Sequence, residues 1–119
     1  MTTVTTLVIG GTASAREAAI QPLLADASTA VILEGLPDGQ ALLNSDLSRH
    51  LEITRIAPGC LCCTGNLVMR VTLNRLLRNQ PSRLFIGVAS TEHLAALRTF
   101  LKEAPYDHIL HLTNDVTLT

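Results

Sequence analysis

Short aliphatic runs alternate with longer segments of helical periodicity along the 119-residue chain. A parallel strand pair needs a long crossover connection, usually a helix, so this alternation is typical of a parallel α/β sheet. We therefore expect one domain, residues 1–119, with a doubly wound, mostly parallel sheet of about five strands and helices on both faces. The predicted strands are Thr5–Gly10, Thr29–Glu34, Glu52–Ala57, Ser82–Ala89 and Tyr106–Thr113.

The helical segments follow from apolar spacing and from capping residues. Ser14 is the predicted N-cap of the first helix, and Pro22 should kink that helix or begin a second segment. In the later helices the predicted core stripes are Leu67, Val71 and Leu73/Leu77, and then Leu94, Leu97 and Leu101. The predicted helices are Ala15–Ala27, Asn66–Asn79 and Thr91–Ala104, with a short one at Ala41–Ser48.

The composition excludes several classes of function. The formal net charge is −1 and no basic run is present, which argues against nucleic-acid binding. No apolar run approaches the roughly 20 residues of a membrane span, and the N-terminus lacks the basic region of a signal peptide, so we expect a cytoplasmic protein without a membrane contact. Charged residues make up only 16% of the chain, which favours an apolar surface covered by a protein partner or a second copy.

All three cysteines, Cys60, Cys62 and Cys63, lie in the stretch APGCLCCTG. In a reducing compartment such a cluster indicates metal binding or thiol chemistry rather than a structural disulfide. Thiolate sulfur is a soft ligand suited to zinc, copper(I) and iron–sulfur iron, and we take zinc as the default metal. A tetrahedral zinc site needs a fourth ligand, which water, a histidine, a carboxylate or a partner chain could supply.

The histidines are weaker candidates for that fourth ligand. His108 and His111 fall three residues apart on a predicted strand, so they should face opposite sides of the sheet. An ordinary surface or core-edge role is expected for each of them. His50 precedes the strand that leads to the cysteines and could supply the fourth ligand, although an ordinary role is favoured for it too, and His93 is the remaining histidine.

The first strand is followed by the glycine-rich stretch GGTASARE, where a phosphate-binding loop would belong. Such a loop reads G-x-x-x-x-G-K-[ST], with a lysine on the phosphates and a hydroxyl on Mg²⁺. Gly10 and Gly11 open the stretch, but Arg16 stands at the lysine position and Glu17 at the hydroxyl position. A carboxylate repels phosphate, so we expect no tight nucleotide binding and a plain strand-to-helix turn.

Together the order of strands, the glycine-rich turn and the motif GCLCCTG resemble the CobW-like metal-handling P-loop GTPases, from about Thr5 to Asn114. That family carries G-C-x-C-C after its third strand, and the resemblance implies that Cys60, Cys62 and Cys63 handle a metal such as zinc, cobalt or nickel. The acidic residue that the family places near Mg²⁺ is replaced in Gly87-Val88-Ala89-Ser90, whereas Glu34 corresponds to its second-strand Asn-Glu region. The chain ends near Asn114-Asp115, before the guanine-reading motif and the C-terminal domain of that family.

Three hypotheses follow for the function. The first is a non-enzymatic, metal-binding pseudo-GTPase, with no catalytic residues and no nucleotide. The second is an interaction module for self-association or partner binding, in which the cysteines are a relic. The third, an active GTPase, is disfavoured by Ala15, Glu17 and Gly87.

Overall fold

The protein has an α/β fold with six strands and three helices among the residues that the computed structural model describes, which are 2–24, 28–35, 51–56, 67–89 and 94–118. Two 3₁₀ turns, Gln21–Leu23 and Tyr106–His108, supplement them. The helices are α1 (Ala13–Ile20), α2 (Leu67–Leu77) and α3 (Leu94–Leu101). The strands are β1 (Thr3–Gly10), β2 (Thr29–Glu34), β3 (Leu51–Ile56), β4 (Arg83–Val88), β5 (Leu110–Leu112) and β6 (Val116–Leu118).

The strands form one sheet in the order β3-β2-β4-β1-β5, with β6 also paired to β1, and every pairing among them is parallel. This confirms the predicted mostly parallel α/β class. From β1 the chain moves to β2 on one side, whereas from β4 it moves to β5 on the other side. The adjacent strands β1 and β4 therefore define the topological switch point, where open α/β sheets bind ligands at the carboxyl ends of their strands.

Alternate residues of the strands pack against helices on the two faces of the sheet. Leu7 and Ile86 belong to a core cluster with Leu73 of α2 and Leu97 of α3. Their neighbours in the strands, which include Val8 and Phe85, cluster instead with Ile20 of α1. Because successive side chains of a strand alternate between faces, α2 and α3 cover one face and α1 covers the other. None of the described helices has the length and apolar character that a membrane span requires.

One edge of the sheet consists of β5 and β6, which lie end to end along β1. Leu112 is in register with Thr5 and Val116 with Val8, so four steps along the edge oppose three steps of β1. The extra residue makes a β-bulge between the two short strands. Thr113 fixes the bulge, since its backbone N–H donates to the Thr5 carbonyl at 2.9 Å.

Several predicted boundaries are corrected. The N-cap of α1 is Thr12, whose Oγ1 accepts from the Ala15 N–H at 3.1 Å, and not Ser14, which lies inside the helix. Pro22 lies in a separate 3₁₀ turn, Gln21–Leu23, that follows α1, which agrees with one of the two predicted alternatives. The strand predicted over Tyr106–Thr113 is wrong in its first half, which forms a 3₁₀ turn, and β6 was not predicted.

The predicted core stripe of α2 is partly wrong. Leu67 and Val71 are 57% and 61% exposed, and the buried side chains are those of Met69, Thr72, Leu73 and Leu76. In α3 the stripe is confirmed, since Leu97 and Leu101 are buried and Leu94 packs against the same core. The short helix predicted at Ala41–Ser48 lies outside the described residues.

Candidate functional site

The candidate site is the crevice at the carboxyl ends of β1, β2 and β4, where the switch point lies. Gly10 and Gly11 turn the chain there with φ of +85° and +64°. A Cβ on Gly10 would lie 2.6 Å from the carbonyl oxygen of Leu118, so the turn and β6 are in close contact. Glycine is required at this turn both for its backbone conformation and for the space it leaves.

Arg16 of α1 fills the crevice. Its Nη1 donates to the carbonyl oxygens of Gly10 and Gly11 at 2.9 and 2.8 Å, and its Nη2 donates to the Glu34 carbonyl at 3.2 Å. A Cβ placed on Gly87 of β4 would lie 3.7 Å from Arg16 Cδ, so the aliphatic stem passes over that glycine. The residue is only 4% exposed. The guanidinium thus joins the ends of β1 and β2 from within the molecule.

The hydrogen bonds at this turn have the opposite polarity to those of a phosphate-binding loop. A phosphate loop directs backbone N–H groups and a lysine at an anion. In this crevice the glycine carbonyls bind the protein's own cation, and the arginine donors that phosphate would need are engaged by those carbonyls.

The neighbouring Glu17 is paired with Arg55 of β3. Arg55 Nη1 and Nη2 donate to the two Glu17 carboxylate oxygens at 3.2 and 3.0 Å. Glu17 is 1% exposed, and the Arg55 side chain is 23% exposed. A bidentate guanidinium–carboxylate pair offsets part of the cost of burying the carboxylate. The residue at the position of a Mg²⁺-binding hydroxyl is thereby bound to an arginine.

Glu34 completes the crevice from the side of β2. Its Oε1 accepts from the Ala89 N–H, just beyond β4, at 2.7 Å, and its carbonyl accepts from Arg16. The residue is buried at 6% exposure. The carboxylate of Glu34, which the resemblance matches to the family's second-strand Asn-Glu region, therefore bonds to the main chain in this structure.

The structure gives no placement for the predicted metal ligands. Cys60, Cys62 and Cys63 lie outside the described residues, as do His50 and His93. The described residues contain no group of three or more His, Cys, Asp or Glu side chains that could hold a metal ion.

The prediction that His108 and His111 lie on one strand is wrong. His108 belongs to a 3₁₀ turn and His111 to β5, and both are exposed.

A separate groove of about 630 Å³ lies between α3 and the edge strands, with Leu7 and Leu112 among its lining residues. Arg98 of α3 forms an ion pair with Asp115 of the bulge there. Lys102 also lines the groove. Two basic residues near the end of a helix favourably balance the helix dipole, and His111 lines the groove as well. The switch-point crevice is the better candidate for the site, because it lies where open α/β sheets bind ligands.

Arg55 is the residue of the site that sequence reasoning missed. The signal was present in EITRIA, where an arginine interrupts a strand of alternating pattern five residues before Cys60. Its partner could not be read from the sequence, because the pairing depends on how α1 lies across the sheet.

Comparison of the chain with protein-family models, with curated proteins and with solved structures gave no match.

Proposed function

We propose that this chain is a non-catalytic, metal-binding relative of the CobW-like P-loop GTPases, in which Cys60, Cys62 and Cys63 bind zinc. The observation that supports a non-catalytic function is the placement of Arg16, which occupies the crevice and bonds to three backbone carbonyls. A nucleotide phosphate would have to displace these charge-assisted hydrogen bonds, and their loss costs free energy.

The support for metal binding is the chemistry of the donor set. Three thiols within four residues supply soft ligands, and Gly59 and Gly65 allow the loop to curl around one ion. Zinc binds thiolates rather than thiols, so binding would release protons and would strengthen as the pH rises through the thiol range. We propose that water, a histidine, a carboxylate or a partner chain supplies the fourth position.

The test is elemental analysis of protein purified without an affinity tag or chelator, followed by zinc titration of the reduced protein. We expect one zinc per chain in the native protein and loss of tight binding in the triple variant Cys60→Ser, Cys62→Ser, Cys63→Ser. Equal zinc affinity in the two proteins would contradict the proposal.

The nucleotide prediction is tested separately by thermal melting. We expect millimolar GTP with Mg²⁺ to leave the melting temperature unchanged, because a ligand stabilises a protein only when it binds the folded state. A Mg²⁺-dependent rise in the melting temperature would contradict the non-catalytic proposal and favour a GTPase.

A second candidate function is a protein-interaction module, and the exposed apolar face of α2 favours it. Leu67 and Val71 are one helical turn apart, and Val68 beside them is 39% exposed. Sedimentation of the metal-free protein tests this function. A strict monomer across the micromolar range would count against self-association, and a dimer that Val71→Glu dissociates would support it.

A further inference from the structure

The groove between α3 and the edge strands combines apolar and charged lining residues. Leu7 of β1 is part of the core on the α2 and α3 face, and Leu112 of β5 packs against that core. Arg98 of α3 and Lys102, which directly follows α3, line the groove opposite residues 113–115 of the bulge. The volume of about 630 Å³ falls within the range of about 300–1,000 Å³ that is typical of small-molecule sites.

Lys102 is the only lysine of the chain, and it is exposed in this groove. Its backbone N–H donates to the carbonyls of Arg98 and Thr99, which fixes the start of the side chain at the end of α3. Glu103, the next residue, does not line the groove. Within the part of the chain that the structure describes, no carboxylate forms an ion pair with the Lys102 ammonium.

The one carboxylate among the described residues that line the groove is already neutralised. It belongs to Asp115, which forms an ion pair with Arg98. With His111 counted as uncharged, the lining side chains carry two positive charges and one negative charge, so the net charge is +1. Because Arg98 is paired with Asp115, the charge of Lys102 is the one that a ligand would meet.

This charge pattern selects among ligand classes. An uncharged ligand would remove water from the Lys102 ammonium without replacing it, which costs free energy. A ligand with several negative charges would exceed the single positive charge and would be repelled by Asp115. A carboxylate supplies one negative charge, and an apolar body attached to it matches the lining residues Leu7 and Leu112.

We propose that this groove binds a small monocarboxylate with an apolar body, and that the Lys102 ammonium is its counter-ion. The exposed side-chain amide of Asn114 supplies a hydrogen-bond donor beside the carboxylate. Arg98 acts indirectly, by keeping Asp115 from competing for Lys102. The inference goes beyond the proposed metal binding and does not depend on it.

The test uses 4-phenylbutanoate as the probe and its uncharged amide, 4-phenylbutanamide, as the matched ligand of nearly the same shape. Reductive methylation with ¹³C-formaldehyde preserves the charge of a lysine and gives a single lysine signal in the NMR spectrum, because Lys102 is the only lysine. We expect the carboxylate to shift this signal saturably, with a dissociation constant of about 2 mM for a ligand of this size. The amide should give no saturable shift.

Substitutions at the two charged positions should change the affinity in opposite directions, as measured from the backbone amide shifts of residues 112–115. We expect Lys102→Met to weaken binding about three- to fivefold, the effect of losing an ion pair near the surface. Lys102→Arg should retain most of the affinity, because it keeps the charge. Asp115→Asn should tighten binding about twofold or more, because it removes the competing carboxylate and releases Arg98.

The matched control is Arg78→Met, which removes one positive charge at an exposed position of the chain outside the groove. We expect it to leave the affinity within about 1.5-fold of the wild type, because exposed charges more than about 10 Å apart are largely screened by salt. Circular dichroism checks that each variant is folded.

Each other outcome overturns the inference. These outcomes are no saturable shift with the carboxylate up to about 20 mM, ten times the expected dissociation constant, equal binding of the amide, equal affinity in a folded Lys102→Met, or equal weakening by Arg78→Met. Tighter binding of phenyl phosphate than of the carboxylate would also overturn it, and would show that the groove prefers a dianion. None of these measurements involves the cysteines, so the zinc titration decides the proposed function separately.

Discussion

At the scale of single residues, Arg16 shows how a buried cation can hold a backbone turn. Its hydrogen bonds to the carbonyls of Gly10, Gly11 and Glu34 connect the turn after β1 to the end of β2. Two of the acceptors belong to glycines with positive φ, a conformation that most residues adopt only with strain. The arginine thus stabilises this backbone turn.

Replacing Arg16 should therefore destabilise the protein. We expect Arg16→Met to lower the free energy of unfolding by about 2–4 kcal/mol, because the buried carbonyl of Glu34 and the partly buried contacts to Gly10 and Gly11 lose a charged donor. Urea denaturation measures the loss, and Arg78→Met, at an exposed position, is the control that should change little.

Arg16→Lys should recover only part of this stability, because an ammonium cannot reproduce the planar fork. It should also fail to create GTP binding, since Glu17 remains. Full recovery of stability, or binding of GTP by Arg16→Lys, would contradict this account of the crevice.

Tyr106 gives an optical probe of the core, because it is the only tyrosine in the chain and no tryptophan is present. Burial raises the pKa of Tyr106 above its ordinary value of 10.0, and the charge of Arg70 lowers it by a smaller amount. A raised folded-state pKa means that the neutral phenol contributes stability below about pH 10, and that this contribution is lost as the pH rises through the folded-state pKa.

We therefore expect the absorbance titration of Tyr106 to have a higher midpoint in the folded protein than in urea. Tyr106→Phe should show a shallower loss of stability above about pH 10, although at neutral pH it loses the 2.7 Å hydrogen bond to Asn74. An unchanged slope in the Phe variant would contradict a role for this phenol in alkaline unfolding.

Residue types in the candidate site were predictable from the sequence, but their partners were not. The arginine at the lysine position and the carboxylate at the hydroxyl position could be read directly. That the arginine would bind carbonyl oxygens depends on the dihedral angles of Gly10 and Gly11, and that Glu17 would bind Arg55 depends on the orientation of α1. For the cysteines, metal binding remains a prediction from the sequence, because they lie outside the described residues.

At the scale of elements, the bounds of fully buried strands could be predicted from the sequence, whereas the buried side of a helix with aliphatic residues on both sides could not. Thr29–Glu34 was predicted with its exact ends, because every residue of β2 is buried and an uninterrupted apolar run is typical of a central parallel strand. The strands β3 and β4 were predicted to within one residue at each end. In α2 the pattern misled, because aliphatic residues occur on both its buried and its exposed sides and give no unique stripe.

Substitutions on the two sides of α2 should lower the free energy of unfolding by very different amounts. We expect Leu73→Ala, at a fully buried position, to lower the free energy of unfolding by about 3 kcal/mol. Val71→Ala, at a position that is 61% exposed, should change it by less than about 0.5 kcal/mol. Chemical denaturation of both variants checks the prediction. A cost at Val71 that falls on dilution would show instead that a second copy covers this face.

At the scale of the whole molecule, charged side chains lie at the carboxyl end of the six-stranded parallel sheet that the described residues form. Arg16, Glu17, Glu34 and Arg55 supply two positive and two negative groups, all at least partly buried. The mostly parallel α/β class was predictable, because strands alternate with helices along the chain. The last strand was not predictable from the sequence, because β6 has only three residues and pairs with β1, which is distant in the chain.

The bulge at residues 113–115 has a consequence for how these molecules behave in a concentrated solution. An exposed sheet edge can hydrogen-bond to the edge of another molecule and start aggregation, and proteins limit this with short strands and bulges. Here the edge is divided into two strands of three residues each.

Deleting Asn114 would remove the extra step and allow one continuous strand from Leu110 to Leu118. We expect light scattering to show faster aggregation of that variant on mild heating, whereas Asn114→Ser, which keeps the residue count, should remain dispersed. The irregularity at the edge would then be a safeguard of solubility in a chain with few surface charges.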